Sequence, residues 1–268
     1  MKNTIAAILC MLMVVLSGSA QESGLIHSVD VINGLADNCV KGILRDQFGF
    51  MWFATPNGLN RYDGYRFVKY STIPLGNEND DIEAIYNDGS GVIWLIVTDH
   101  IYAYYYRSDK IHNDAYKRLA EIGIKEKPTL LKTDDQKNLW VTTKRHIFYY
   151  DFKRKRLYTI RNQTGAAILD VTARDDVAYA LASNGEFYQT DLHAGRLRRE
   201  GHVGLSSYSN WHYIYLDSRG RLWFYSAHSP INDLYCYDTQ QHRGMTPSVM
   251  TKLKNTILTS LTDDGKGN

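Results

Sequence analysis

A frame that recurs around tryptophan constrains this chain more than any other feature. The four copies run Asp46-Gln-Phe-Gly49-Phe-Met-Trp52, Asp88-Gly-Ser-Gly91-Val-Ile-Trp94, Asp134-Asp-Gln-Lys137-Asn-Leu-Trp140 and Asp217-Ser-Arg-Gly220-Arg-Leu-Trp223. Asp stands six residues before every Trp, and an apolar residue immediately precedes it. Gly stands three before in all but the third copy, where Lys137 replaces it. Downstream, Leu59, Ile101 and Ile147 lie seven residues after Trp, and Tyr62, Tyr104 and Tyr150 lie ten after. A degenerate copy fills the long gap between Trp140 and Trp223. Tyr179 takes the Trp position there, Asn184-Gly185 matches Asn57-Gly58, and Asp191 closes the unit. The aromatic anchors are then 42, 46, 39 and 44 residues apart.

A period of about 40–45 residues is the length of one four-stranded propeller blade. The local chemistry agrees. In Asp-x-x-Gly the carboxylate can bond its own backbone and Gly can take positive φ, which makes a tight turn. Apolar-Trp-apolar reads as a buried strand, Asn57-Gly58 and Asp63-Gly64 as hairpin signals, Val40–Leu44 as the inner strand and Arg66–Tyr70 as the outer one. Each repeat therefore holds four strands and three turns, with no room for a helix. The 20 Tyr residues suit such a half-buried pleated surface. The expected fold is all-β: an incomplete β-propeller of four-stranded antiparallel blades at roughly 38–78, 79–124, 125–166, 167–206 and 207–250, with 251–268 starting a sixth. The frame Asp264-Gly-Lys-Gly267 begins again at the end of the sequence, which suggests a piece of a larger, seven-bladed ring. A closed five-bladed ring is the alternative, since propellers close to remove exposed edges. The repeated aromatics (Trp52, Trp94, Trp140, Tyr179, Trp223) read as packing wedges between blades, and sugar-stacking platforms are the competing reading.

Outside the repeat, Lys2, the apolar run Ile5–Leu16 and the small residues Ser17-Gly18-Ser19-Ala20 form the pattern of a signal peptide cut after Ala20. An uncleaved anchor is the alternative, and Cys10 lacks a lipobox. The chain is therefore expected in the periplasm or another extracytoplasmic space. Cys39 and Cys236 remain in the mature chain, and the expectation is two free buried thiols rather than a disulfide. No metal or cofactor is expected. A formal charge of +2 gives no basis for nucleic-acid binding, and Lys153-Arg154-Lys155-Arg156 reads as a solvated hairpin turn.

The segment from Asp46 to Gly64, with Trp52-Phe-Ala-Thr55-Pro-Asn-Gly58-Leu59 and Tyr62-Asp63 inside it, resembles the two-component regulator propeller repeat, and Asn33-Gly34-Leu35-Ala-Asp-Asn38 resembles the family's opening segment. The resemblance spans residues 24–268, and is looser after the first copy. It implies the N-terminal periplasmic sensor region of a Bacteroidetes hybrid histidine kinase, many of which respond to oligosaccharides. It also implies partners outside this chain, namely a downstream propeller, kinase domains and a homodimer formed through the full receptor. No kinase motif is present, so kinase activity does not transfer.

Three functional classes follow. In the first, loops at one end of the channel bind an oligosaccharide. In the repeat register, Asn38, Asp80 and Asn210 lie near the starts of the inner strands. Trp211 and His212 follow, with Lys41 and Glu83 matching His212. Amides, carboxylates and an aromatic face suit a sugar, while the structural alternative makes Trp211 channel wall. The second class is a scaffold for protein contacts. The third is a glycan-active enzyme, which would need a dedicated carboxylate pair. Here the repeated carboxylates serve turns, so a catalyst is not expected.

Overall fold

A computed structural model describes residues 28–76, 79–98, 100–174, 177–204, 212–226, 234–246, 258 and 261–263. The signal-peptide segment, Asn210 and Trp211 lie outside them. Among the described residues, twenty strands form five four-stranded sheets. They are β1–β4 (Gly42–Arg45, Met51–Thr55, Gly58–Tyr62, Phe67–Tyr70), β5–β8 (Ala84–Asn87, Val92–Val97, His100–Tyr105, Lys110–His112) and β9–β12 (Leu130–Thr133, Leu139–Thr142, His146–Asp151, Arg156–Arg161). Then come β13–β16 (Ile168–Arg174, Val177–Ala182, Glu186–Asp191, Arg196–His202) and β17–β20 (His212–Leu216, Arg221–Ser226, Tyr235–Asp238, Arg243–Met245). Every sheet is an antiparallel meander with strands in chain order. First strands of successive sheets pack together, as β1 does with β5 and β13 with β17. This is blade geometry, with each blade's first strand innermost.

The turn before each Trp strand explains why the frame recurs. One oxygen of Asp46 accepts the Phe48 and Phe50 amides at 2.9 and 3.0 Å, and the other accepts the Trp52 indole N–H at 2.6 Å. Asp88 holds Trp94 at 2.8 Å, Asp134 holds Trp140 at 3.3 Å and Asp217 holds Trp223 at 2.8 Å in the same way. A single carboxylate thus closes the turn and satisfies an indole that would otherwise be buried unpaired. Gly49, Gly91 and Gly220 take φ of 90°, 82° and 74°, and Lys137 is forced to 63° at the same place. The Asn57-Gly58 hairpin turns at Pro56-Asn57, with Gly58 paired to Thr55 at φ 111°.

The core lies between blades. Trp52 packs with Ile93, Leu95 and Tyr104 of the second blade. Trp94 packs with Leu139 and Val141 of the third, and Tyr179 with Leu222, Phe224 and Tyr237 of the fifth. Trp52 and Trp94 have no exposed surface, each enclosed between two blades. Beyond the fifth blade, Leu258 and Leu261 pack against Trp223 and Cys236. Among the described residues no core cluster or strand pair joins the fifth blade to the first, so the propeller is incomplete and the closed five-bladed alternative fails.

Two expectations need correction. The second repeat contains a helix, α1 (Ala115–Glu121), which buries Ala115 and Leu119 against the second and third blades. Residues four apart share one face of a helix, and the 46-residue spacing, the longest of the four, accommodates it. The cysteines are both free, but only Cys236 is buried, while Cys39 is exposed in the segment before β1.

Candidate functional site

The innermost strands bring a polar cluster to the axis. Lys132 on β9 donates from Nζ to Asp170 Oδ1 on β13 at 2.8 Å. The second oxygen of Asp170 accepts the Ile214 amide of β17 at 3.1 Å, so one carboxylate ties three blades. The Asp170 side chain is 3% exposed, that of Lys132 24%. A strand irregularity between Ile168 and Asp170 places this carboxylate. Next to it, Leu216 N–H donates to Thr172 Oγ1 at 3.1 Å.

Three tyrosines surround the pair. Tyr86 comes from β5, Tyr213 from β17 and Tyr225 from β18, with the last two rings stacked at 5.2 Å. Burial opposes the charge on Lys132, but Asp170, Tyr86 and Tyr225 outweigh it and its pKa is raised. Burial also raises the Tyr86 and Tyr213 hydroxyls, and pushes Tyr225 up to about 12 with Asp170 adding to the shift. All three stay protonated donors near neutrality. The cluster presents tyrosine hydroxyls and one ammonium, while both oxygens of the buried Asp170 carboxylate are engaged by Lys132 and backbone amides.

The predicted site residues divide into groups. The Glu83 carboxylate is within electrostatic reach of Tyr213, so its segment of the second blade faces the fifth across the axis. His212, beside Tyr213, shares a 2.7 Å hydrogen bond with Ser226 Oγ. Lys41 is turned to the seam between the first two blades, where Nζ meets Asp81 at 2.5 Å. Asp80 is 8% exposed, and its Oδ1 accepts from Ser71 Oγ at 3.0 Å and from Thr72 N at 2.6 Å, which closes the loop after the first blade. The exposed Asn38 accepts the Val31 amide at 3.0 Å and organises the leading segment.

Sequence reasoning missed Lys132, Asp170, Tyr86 and Tyr213. A signal for Lys132 was available. It stands eight residues before Trp140, where the other Trp-anchored copies carry Leu44, Tyr86 and Tyr215. Asp170 gave a weaker one, as a lone carboxylate in the apolar run Ile168-Leu-Asp-Val171.

Blade meanders around a shared axis define the chain as a β-propeller. Residues 34–57, which hold β1 and β2 of the first blade, match the family model described as two component regulator propeller. Among solved structures, the chain is 23% identical to the extracellular domain of BT3049 from B. thetaiotaomicron, described as a hybrid two component system. That match has a TM-score of 0.57 and covers 82% of this chain and 31% of the other. A second extracellular domain so described, of BT4673 from the same organism, is 18% identical with a TM-score of 0.54, covering 77% of this chain and 27% of the other. A catalytically inactive virginiamycin B lyase from Staphylococcus aureus, solved with quinupristin, is 13% identical with a TM-score of 0.50, covering 75% and 67%. These likenesses are of fold. The chain spans about a third of the two extracellular domains. No curated protein matches it.

Proposed function

We propose that this chain is an extracytoplasmic, non-catalytic sensor propeller of a two-component regulator, which takes an oligosaccharide at the axis and serves a kinase carried elsewhere. The observation that carries the reading is the convergence of Tyr86, Lys132, Asp170 and Tyr213 from four blades. A ligand there touches several blades at once, and a ligand shifts an equilibrium only through different contacts in the two states. The family repeat and the likeness to two extracellular domains of hybrid two component systems support the same reading. The repeated carboxylates support a non-catalytic role, since they are engaged by turns and indoles. Among the described residues no helix is long and apolar enough to cross a membrane.

Calorimetric titration of the chain with a panel of neutral oligosaccharides tests the proposal. The expected result is a saturable heat for at least one sugar, weakened about tenfold or more by Tyr213→Ala, the equivalent of about 1.4 kcal/mol. If no sugar binds and an affinity capture recovers a protein partner, the scaffold reading replaces it.

A further inference from the structure

The axial groups differ in how much hydrogen-bonding capacity they have left. Asp170 has spent both oxygens. Its Oδ1 accepts from Lys132 Nζ and from the Val171 amide, each at 2.8 Å, and its Oδ2 accepts the Ile214 amide at 3.1 Å. With 3% of the Asp170 side chain exposed against 24% of Lys132, a ligand at the axis meets the ammonium and not the carboxylate. An ammonium carries three N–H donors and no acceptor. Among the described residues Lys132 spends one of them, on Asp170.

The strand register places more donors beside it. Tyr86 pairs with Trp94 as Lys132 pairs with Trp140, so both stand at one level of neighbouring inner strands. Tyr213 pairs with Tyr225 at the level where Asp170 pairs with Leu181. Among the described residues neither the Tyr86 nor the Tyr213 hydroxyl has a hydrogen-bond partner, and burial keeps both protonated. Glu83 bears on Tyr213, whereas the groups that hold the charge of Lys132 are Asp170, Tyr86 and Tyr225, so the two ends of the cluster differ in sign. The Lys132 end thus offers unspent donors around a positive charge, with its carboxylate already saturated. Hydrogen bonds in which one partner is ionised are roughly twice as strong as neutral ones.

We propose that the axial site selects an oligosaccharide bearing an anionic group, a carboxylate or a sulfate ester, which sits on Lys132 and takes hydrogen bonds from Tyr86 and Tyr213. This rests on the sensor reading above and adds the charge of the ligand to it. The probes are two matched pairs: trigalacturonate with its neutral methyl ester, and sulfated with unsulfated galactotriose. Isothermal titration of the chain should show at least one acidic probe bound about tenfold or more tightly than its neutral partner. Raising the salt from about 50 to about 500 mM should shrink that ratio at least about threefold, because screening acts on the charge. Lys132→Gln keeps a donor for Asp170 but removes the charge, and should bring the ratio to one or below. Lys132→Arg should restore the preference. If neutral sugars bind and neither acid binds more tightly than its partner, the charge assignment fails and the sensor reading stands. A ratio unmoved by salt, or by Lys132→Gln in a folded variant, would also overturn the assignment. If no sugar binds, acidic or neutral, the sensor reading fails with it.

Discussion

Lys137 occupies a left-handed backbone position that its three counterparts give to glycine, at φ 63°. A side chain there costs about 1–2 kcal/mol, offset in part by the freedom glycine loses on folding. Lys137→Gly should therefore stabilise the chain by about 0.5–1 kcal/mol, seen as a higher denaturant midpoint with an unchanged slope. The carbonyl of Lys137 accepts the Gly89 amide of the second blade at 2.7 Å, a backbone contact the variant keeps. Asp109 sits on the seam between the first two blades. Its Oδ1 accepts from the Tyr70 and Tyr104 hydroxyls, each at 2.6 Å, and from Arg61 at 2.9 Å. Burial opposes its ionisation, but the two hydroxyls and Arg61 outweigh it and hold the carboxyl below the ordinary aspartate value. A depressed pKa contributes stability above the unfolded value that disappears as pH falls through the folded one. The Asp109 side chain is 56% exposed, so solvent screening trims the contribution, and Asp109→Ala should cost about 0.5–1 kcal/mol at pH 6. That gap should narrow below about pH 4 in parallel chemical denaturation curves. The sequence showed which Asp and Gly build the turns, because they recur in register. It gave no sign that Asp109, one residue in a single hairpin, would gather groups from two blades, since that depends on how the blades meet.

At the level of elements, the strands were legible wherever turn chemistry and the Trp frame coincide. Helix α1 was not, because it belongs to one copy and a repeat argument sees only what copies share. The axial cluster was hidden for a related reason: its members are the departures from the repeat. Asp170 can tie three blades only where β13 deviates from regular pairing. Removing one partner of a buried ion pair leaves an uncompensated charge, so Lys132→Met should cost about 3 kcal/mol. Asp170→Asn should be partly redundant with it, and a double-mutant cycle should give a coupling above about 0.5 kcal/mol. Additive effects would show that the pair does not hold the blades. The seams should also differ in strength. Trp52→Ala removes a fully enclosed indole packed against the tilted Tyr104 ring and should cost about 3–5 kcal/mol. Trp140→Ala, at the alanine-lined seam, should cost less when both variants are unfolded by urea.

In the molecule as a whole, each hydrophobic cluster joins only neighbouring blades. Stability in such arrays is close to a sum of unit and interface contributions. The blade count followed from spacing alone. The incomplete ring was expected as well, but how each blade meets the next was not, because those contacts join parts far apart in sequence. The seam between the third and fourth blades carries the small side chains Ala178 and Thr190 where other blades carry larger ones, yet is pinned at the axis by Lys132 and Asp170. Pulled apart, the array should therefore swing open at that joint like a book on its spine, blades one to three forming one cover and the remaining two the other. Limited proteolysis at rising denaturant should release those two blocks before either is digested. Angular play between covers would convert a small change in what fills the gap into a large displacement at their outer edges.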